Sequence, residues 1–175
     1  MKILLKKCDF GFEQLKALVN IVSGLSLGID KNKVAAVLLK PIPQNKKEIM
    51  SFLGFSSYHR QQLTDLAILA RSLYRICDQQ TVFEMTQERI EAYYKIKKAL
   101  TEAPLFLMHD WNITFKLYID ACGDGLGAYL HQVQIIDDKP TQGPACYISR
   151  QIKLTEARYG ASQMQGLCLV WELEK

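Results

Sequence analysis

The chain has 175 residues, 49% of them hydrophobic and 23% charged, which fits a globular protein with a sizeable buried core and excludes a disordered or fibrous chain. Its net charge of +4 is unevenly spread: residues 1–60 hold ten Lys/Arg against four Asp/Glu, a net +6, and residues 61–175 hold twelve against fourteen, a net −2. A basic N-terminal part suits a polyanionic partner or, more plainly, a solvated lysine face, while short apolar runs such as 34-VAAVLL-39, an N-terminus without a signal segment and five scattered cysteines point to an intracellular, reduced protein off the membrane.

Residues 2–8 and 17–23 read as short strands separated at Gly11, and 25-LSL-27, between Gly24 and Gly28, as a third. Asp30 is a natural N-cap for a helix from Lys31 to about Leu39, closed by 41-PIP-43. Asn45 with Glu48 three residues on forms a capping box that opens the apolar pattern Ile49, Phe52, Leu53; Gly54 is expected to interrupt this helix, with 57–63 as its partner. Helical spacing continues through Leu66, Leu69, Leu73 and Ile76, and again from Thr86 through Ile90, Tyr93, Ile96 and Leu100 to the stop at Pro104. The character changes near residues 102–110. Alternation in 115–120, 126–133 and 145–150 predicts an antiparallel meander, with 135–144 as its polar connection. Met164, Leu167, Cys168 and Trp171 form one stripe of a terminal helix beginning near Thr155.

The stretch 117-LYIDACGDGLGAYL-130 is the one that bears on chemistry. Three glycines after an acid suggest a phosphate-binding loop, but such a loop needs a helix next, and the residues after Gly125 alternate as a strand. A β-turn at Gly123-Asp124-Gly125 accounts for Asp124, with the glycines expected to supply positive φ. Asp120 differs. It ends a strand whose less apolar face carries Lys116, Tyr118 and Asp120, a position where a carboxylate can meet a hard divalent cation.

Several stretches together resemble the pol polyprotein of gypsy-like long-terminal-repeat retrotransposons: 7-KCDFG-11, 29-IDKNKVAAVLLKPIPQNKKEIMSFLGFSSYHR-60, 97-KKALTEAPLF-106, 115-FKLYIDACGDGLGAYLHQ-132, 146-CYISRQI-152 and 158-RYGASQMQGLCLVWELEK-175. They occur in that family's order and cover nearly the whole chain. The resemblance implies an α+β chain in four parts. Residues 1–30 would be the end of a reverse transcriptase palm, a small β-hairpin; 31–80 thumb-like helices; 81–110 a connection; and 111–175 the N-terminal half of a ribonuclease H-like unit, a three-stranded antiparallel meander and one helix. It implies that Lys31, Lys33, Lys46, Lys47, Tyr58 and Arg60 face an RNA–DNA hybrid or template–primer duplex, gripping phosphates without reading sequence. Phe52 and Leu53 are expected to pack inside. By the same resemblance Asp120 is the first catalytic and metal-binding aspartate of ribonuclease H, whose carboxylates hold two Mg²⁺ ions about 3.5–4 Å apart.

The chain departs from that pattern at several points. No Tyr-x-Asp-Asp polymerase motif is present, and the family's Leu-Gly-His primer grip reads Leu18-Val19-Asn20. The second catalytic carboxylate of the family is a glutamate, and the matching residue is Gln165, which offers Mg²⁺ only a neutral carbonyl. Gln163 beside it is neutral too, and Gly166 weakens the helix by about 1 kcal/mol relative to alanine. A third aspartate is expected beyond Lys175. The chain is then either a reverse transcriptase/ribonuclease H segment of a longer polyprotein, or a non-catalytic remnant that binds duplex through residues 31–60.

Overall fold

The computed structural model describes residues 11–17, 20–78 and 80–174. The strand expected at residues 2–8 and most of the altered grip, Leu18-Val19, lie outside these. Among the described residues two antiparallel sheets flank a helical segment. The first sheet holds β1 (Gln14–Ala17), β2 (Asn20–Ser23), β3 (Ser26–Ile29) and β4 (Phe106–Leu107) in that order. β4 arrives from far along the chain to pair with β3, so residues 106–107 join the N-terminal strands.

The helical segment is set by its caps. The Asp30 side chain accepts the Asn32 N–H and starts α1 (Lys31–Leu38). The Asn45 side chain accepts the Glu48 N–H and starts α2 (Lys46–Tyr58), while the Glu48 carboxylate reaches back to the Gln44 N–H, one residue earlier than a capping box requires. Contrary to expectation, Gly54 does not break α2. Its cost of about 1 kcal/mol is outweighed by burial of Ile49, Phe52, Leu53 and Ser56 on the opposite side. The chain then passes a 3-10 turn at Arg60–Gln62 into α3 (Leu66–Leu69), α4 (Arg71–Cys77) and the long α5 (Gln87–Glu102). Leu63, Leu66, Leu73, Ile76, Tyr93 and Ile96 complete one core with α1 and α2. Lys97 is buried in it: its ammonium donates to the carbonyls of Leu38 and Lys40, the exposed end of α1, and lies over the Tyr93 ring.

The second sheet is the expected meander: β5 (Lys116–Ala121), β6 (Gly125–Ile136) and β7 (Lys139–Gln151). Residues 135–144 are not a loop. The strands run through them to a two-residue turn, Asp137–Asp138, where both φ values are positive (51° and 59°), the type I′ geometry whose twist suits a hairpin and which aspartate tolerates. The terminal helix α6 (Ala161–Leu173) begins later than Thr155. Glu156 is drawn into a two-pronged pair with Arg150 at 2.7 and 3.0 Å and accepts the Lys153 N–H, which holds Glu156–Arg158 as a separate 3-10 turn. Gln163 caps α6 by accepting the Gly160 N–H. Met164 and Cys168 of α6 pack on Leu126 as a small second core, with Leu167 and Trp171 at its margin. No helix among the described residues is long and apolar enough to cross a membrane.

Candidate nucleic-acid interface and carboxylate site

Residues directly opposite one another in the meander share a face, and two faces result. One carries Leu126, Ala128 and Arg150 towards α6. The other carries Asp120, Gly127 and Ser149 in one row and Tyr118, Tyr129 and Tyr147 in the next. The helical segment docks on this second face through α3. The Ala67 N–H donates to Ser149 Oγ (3.2 Å), and Gln151 Nε2 donates to the Ala67 carbonyl (3.0 Å). Arg71 meets Asp124 at 2.8 Å. The hairpin Cys122–Gly125 closes as a tight turn with both backbone bonds made, yet neither Gly123 nor Gly125 has positive φ, contrary to expectation. Gly125 and Gly127 answer a different need. A Cβ on Gly125 would meet Ile68 at 2.7 Å and the Arg150 carbonyl at 2.8 Å, and one on Gly127 would lie 3.1 Å from Asp65 Oδ1. The glycines are where α3 approaches the sheet.

Asp120 stands exposed at the end of β5, as the alternation indicated. The sequence did not indicate Asp65 beside it. Asp65 holds the N-cap of α3 in the left-handed region (φ 53°), and its carboxyl is held above the ordinary aspartate value, first by desolvation and second by the charge of Asp120. Both line a recess of about 350 Å³ with Thr64, Tyr118, Tyr129 and Tyr147. Gln165 is exposed on α6, and among the described residues no three His, Cys, Asp or Glu side chains gather as a cation would require. Asp65 and Asp120, two carboxylates, do not match the donor set that holds a pair of Mg²⁺ ions.

The cationic residues lie on the helical segment. Lys31 and Lys33 are exposed on α1, on the two flanks of the face that buries Val34 and Val37. On α2, Lys47, Met50, Gly54 and Tyr58 recur at helical spacing and are all exposed, a stripe ending beside Arg60. Lys46 is partly committed elsewhere, since its ammonium donates to the Asp78 carbonyl at 2.6 Å. Phe52 and Leu53 are buried, as expected. Beneath Tyr58, His59 is only 1% exposed. Its Nδ1 meets Gln62 Oε1 at 2.9 Å, Phe55 and Tyr58 pack edge-on against its ring, and burial holds it below the usual histidine value. Arg60 itself opens onto a recess of about 520 Å³ bordered by Ser57, Tyr74, Arg150 and Trp171.

A three-stranded meander with an aspartate ending its first strand and one helix across its far face defines an RNase H-like unit. The chain belongs to the family of RNase H-like domains found in reverse transcriptase, which matches residues 85–175. It is 30% identical over 172 residues to the Retrovirus-related Pol polyprotein from transposon 297 of Drosophila melanogaster, covering 98% of this chain and 16% of the relative. It is 28% identical over 188 residues to that from transposon gypsy of the same organism, covering 100% and 17%. The chain thus spans about a sixth of the length of these polyproteins. In fold it is similar to the foamy viral protease-reverse transcriptase solved in complex with RNA/DNA hybrid, with a TM-score of 0.74 at 16% identity over 92% of this chain and 21% of that one.

Proposed function

We propose that this chain binds an RNA–DNA hybrid or template–primer duplex through α1 and α2 and does not cleave it. The observation that carries this reading is the exposed stripe of α2, in which Lys47 and Tyr58, with Arg60 just beyond the helix, stand clear of the core while Phe52 and Leu53 anchor the other side. Lys31 and Lys33 add charge on α1. Such contacts take phosphates of any sequence. The hybrid seen with the foamy viral neighbour supports this choice of ligand.

The non-cleaving part rests on donor chemistry. Members of this family generally use Mg²⁺, but Asp120 has Asp65 for company and Gln165 where a glutamate would stand. In this reading residues 1–30 are the palm end, 31–80 the thumb, 81–110 the connection and 111–175 the ribonuclease H half, with Asp120 and Gln165 at the first two catalytic positions. The rest of a polyprotein is the natural partner. The free thiols of Cys77, Cys122, Cys146 and Cys168 suit a reducing, intracellular setting.

The test is titration of a fluorescent blunt hybrid at several salt concentrations, with Mg²⁺ present. The log of affinity should fall linearly with the log of salt. Lys47→Glu with Arg60→Glu should weaken binding and flatten that slope by about 0.9 for each phosphate no longer neutralised. The hybrid should remain intact. Turnover that disappears in Asp120→Asn would overturn the non-cleaving reading; salt-independent binding would overturn the interface.

A further inference from the structure

Tyr118, Tyr129 and Tyr147 are direct cross-strand neighbours on three adjacent strands. The Tyr118 and Tyr129 rings are stacked, with centroids 4.7 Å apart and planes 6° from parallel, and Tyr147 lies 5.6 Å from Tyr129. With strands about 4.8 Å apart, the three rings span roughly 10 Å. The ladder is braced at both ends. Phe106 packs edge-on against Tyr147, and His131 edge-on against Tyr118. Tyr118 sits on β5, which has no further neighbour among the described strands, and is 44% exposed, so the outer side of the stack is open.

The ladder is the floor of a longer groove. The recess at Asp120 and a second one of about 470 Å³ share Thr64 and Tyr147, and the second is lined by Lys95, Lys98 and Glu102 of α5. Glu102 offsets one of these charges, pairing with Lys98 at 3.8 Å, and Lys95 leaves this end of the groove with a net positive charge. The groove is therefore cationic at the α5 end, aromatic in the middle and anionic at Asp65 and Asp120. Phosphates fit the first part, and an unpaired base fits the open face of Tyr118 at the end of the second, because every base has a face to stack and a rigid stack costs little ordering on binding. A duplex keeps its base faces inside its own stack and cannot use the ladder.

We propose that this groove takes a short run of single-stranded nucleic acid, about two or three nucleotides, with phosphates on Lys95 and Lys98, the backbone crossing the edges of Tyr147 and Tyr129, and a base stacked on the open face of Tyr118. The site lies apart from the duplex face of α1 and α2 and would lead an unpaired strand to Asp120.

The experiment is fluorescence anisotropy of the full chain with a labelled oligothymidylate of about eight nucleotides, alongside a blunt hybrid. Tyr118→Leu with Tyr129→Leu should lower affinity for the single strand about tenfold or more and leave blunt-hybrid affinity within about twofold. The corresponding phenylalanine pair should retain single-strand binding. Lys95→Glu with Lys98→Glu, surface changes that spare the core, should weaken single-strand binding and flatten its salt dependence, and they decide the matter if the leucine pair melts early. Single-strand binding that is undetectable in the wild type, or unchanged in both sets of variants, would overturn the proposal. Single-strand binding that persists in Lys47→Glu/Arg60→Glu supports it independently of the duplex interface.

Discussion

Asp65 and Asp120, from two different parts of the chain, converge on Gly127. Asp120 is its register partner in the sheet, and Asp65 Oδ1 lies 3.1 Å from where a Cβ would stand on that glycine. The docking of α3 thus brings a second carboxylate towards one that stands alone on its own strand.

This convergence has a pH consequence. The Asp65 carboxyl is held above its unfolded value, so its proton is bound more tightly in the fold. Its stabilising contribution is full below the unfolded aspartate range and is lost as pH rises through the raised folded value. Asp65→Asn keeps a residue that tolerates positive φ and removes the charge. It should melt higher than wild type at pH 7, with the gap closing under acid, as thermal melts across that range would record.

Glu156 has the opposite sign. The Arg150 guanidinium, then the Lys153 N–H, holds its carboxyl down at about 2, against an ordinary value near 4.5. That stability is present above the unfolded glutamate range and lost as pH falls from there towards 2. Glu156→Gln should cost on the order of 2 kcal/mol near neutrality, and urea titrations at pH 7 and at pH 3 should differ less for the variant than for wild type.

Gly123 and Gly125 occupy one turn with different surroundings. Nothing lies within 4 Å of a Cβ on Gly123, whereas one on Gly125 would strike Ile68 and the Arg150 carbonyl. Gly125→Ala should destabilise by about 1–3 kcal/mol and Gly123→Ala hardly at all, a contrast that paired denaturant curves would show.

Lys46 and Lys47 are neighbours with separate duties. Lys46 ties the start of α2 to the end of α4 through the Asp78 carbonyl, while Lys47 stands exposed. Lys46→Ala should cost about 0.5–1.5 kcal/mol of stability. Lys47→Ala should leave the melt unchanged and lower duplex affinity, read by calorimetry and by anisotropy.

Local chemistry made much of this fold legible in advance. Asp30 and Asn45 announced α1 and α2, and the alternation around Tyr118 placed Asp120 on a strand end. The errors came where local cues met tertiary ones. Gly54 signals a break, but the buried side of α2 holds the helix together through it. Asp137, Asp138 and two prolines read as a loop, yet the positive φ at both aspartates makes a two-residue hairpin and lets the strands run on. Asp65 and the tyrosine ladder were beyond reach, because the first depends on how α3 docks and the second on a register that alternation alone cannot supply.

The hairpin turn at Asp137–Asp138 also bears on how the molecule assembles. Its twelve register pairs join residues close in the chain, so β6 and β7 can zip outward from the turn on the microsecond scale of an isolated hairpin. β4 must instead find β3 across the whole helical segment, a slow search that succeeds only once those helices shorten the distance. The sheet bearing Asp120 therefore has a route to form early, and the N-terminal sheet closes last.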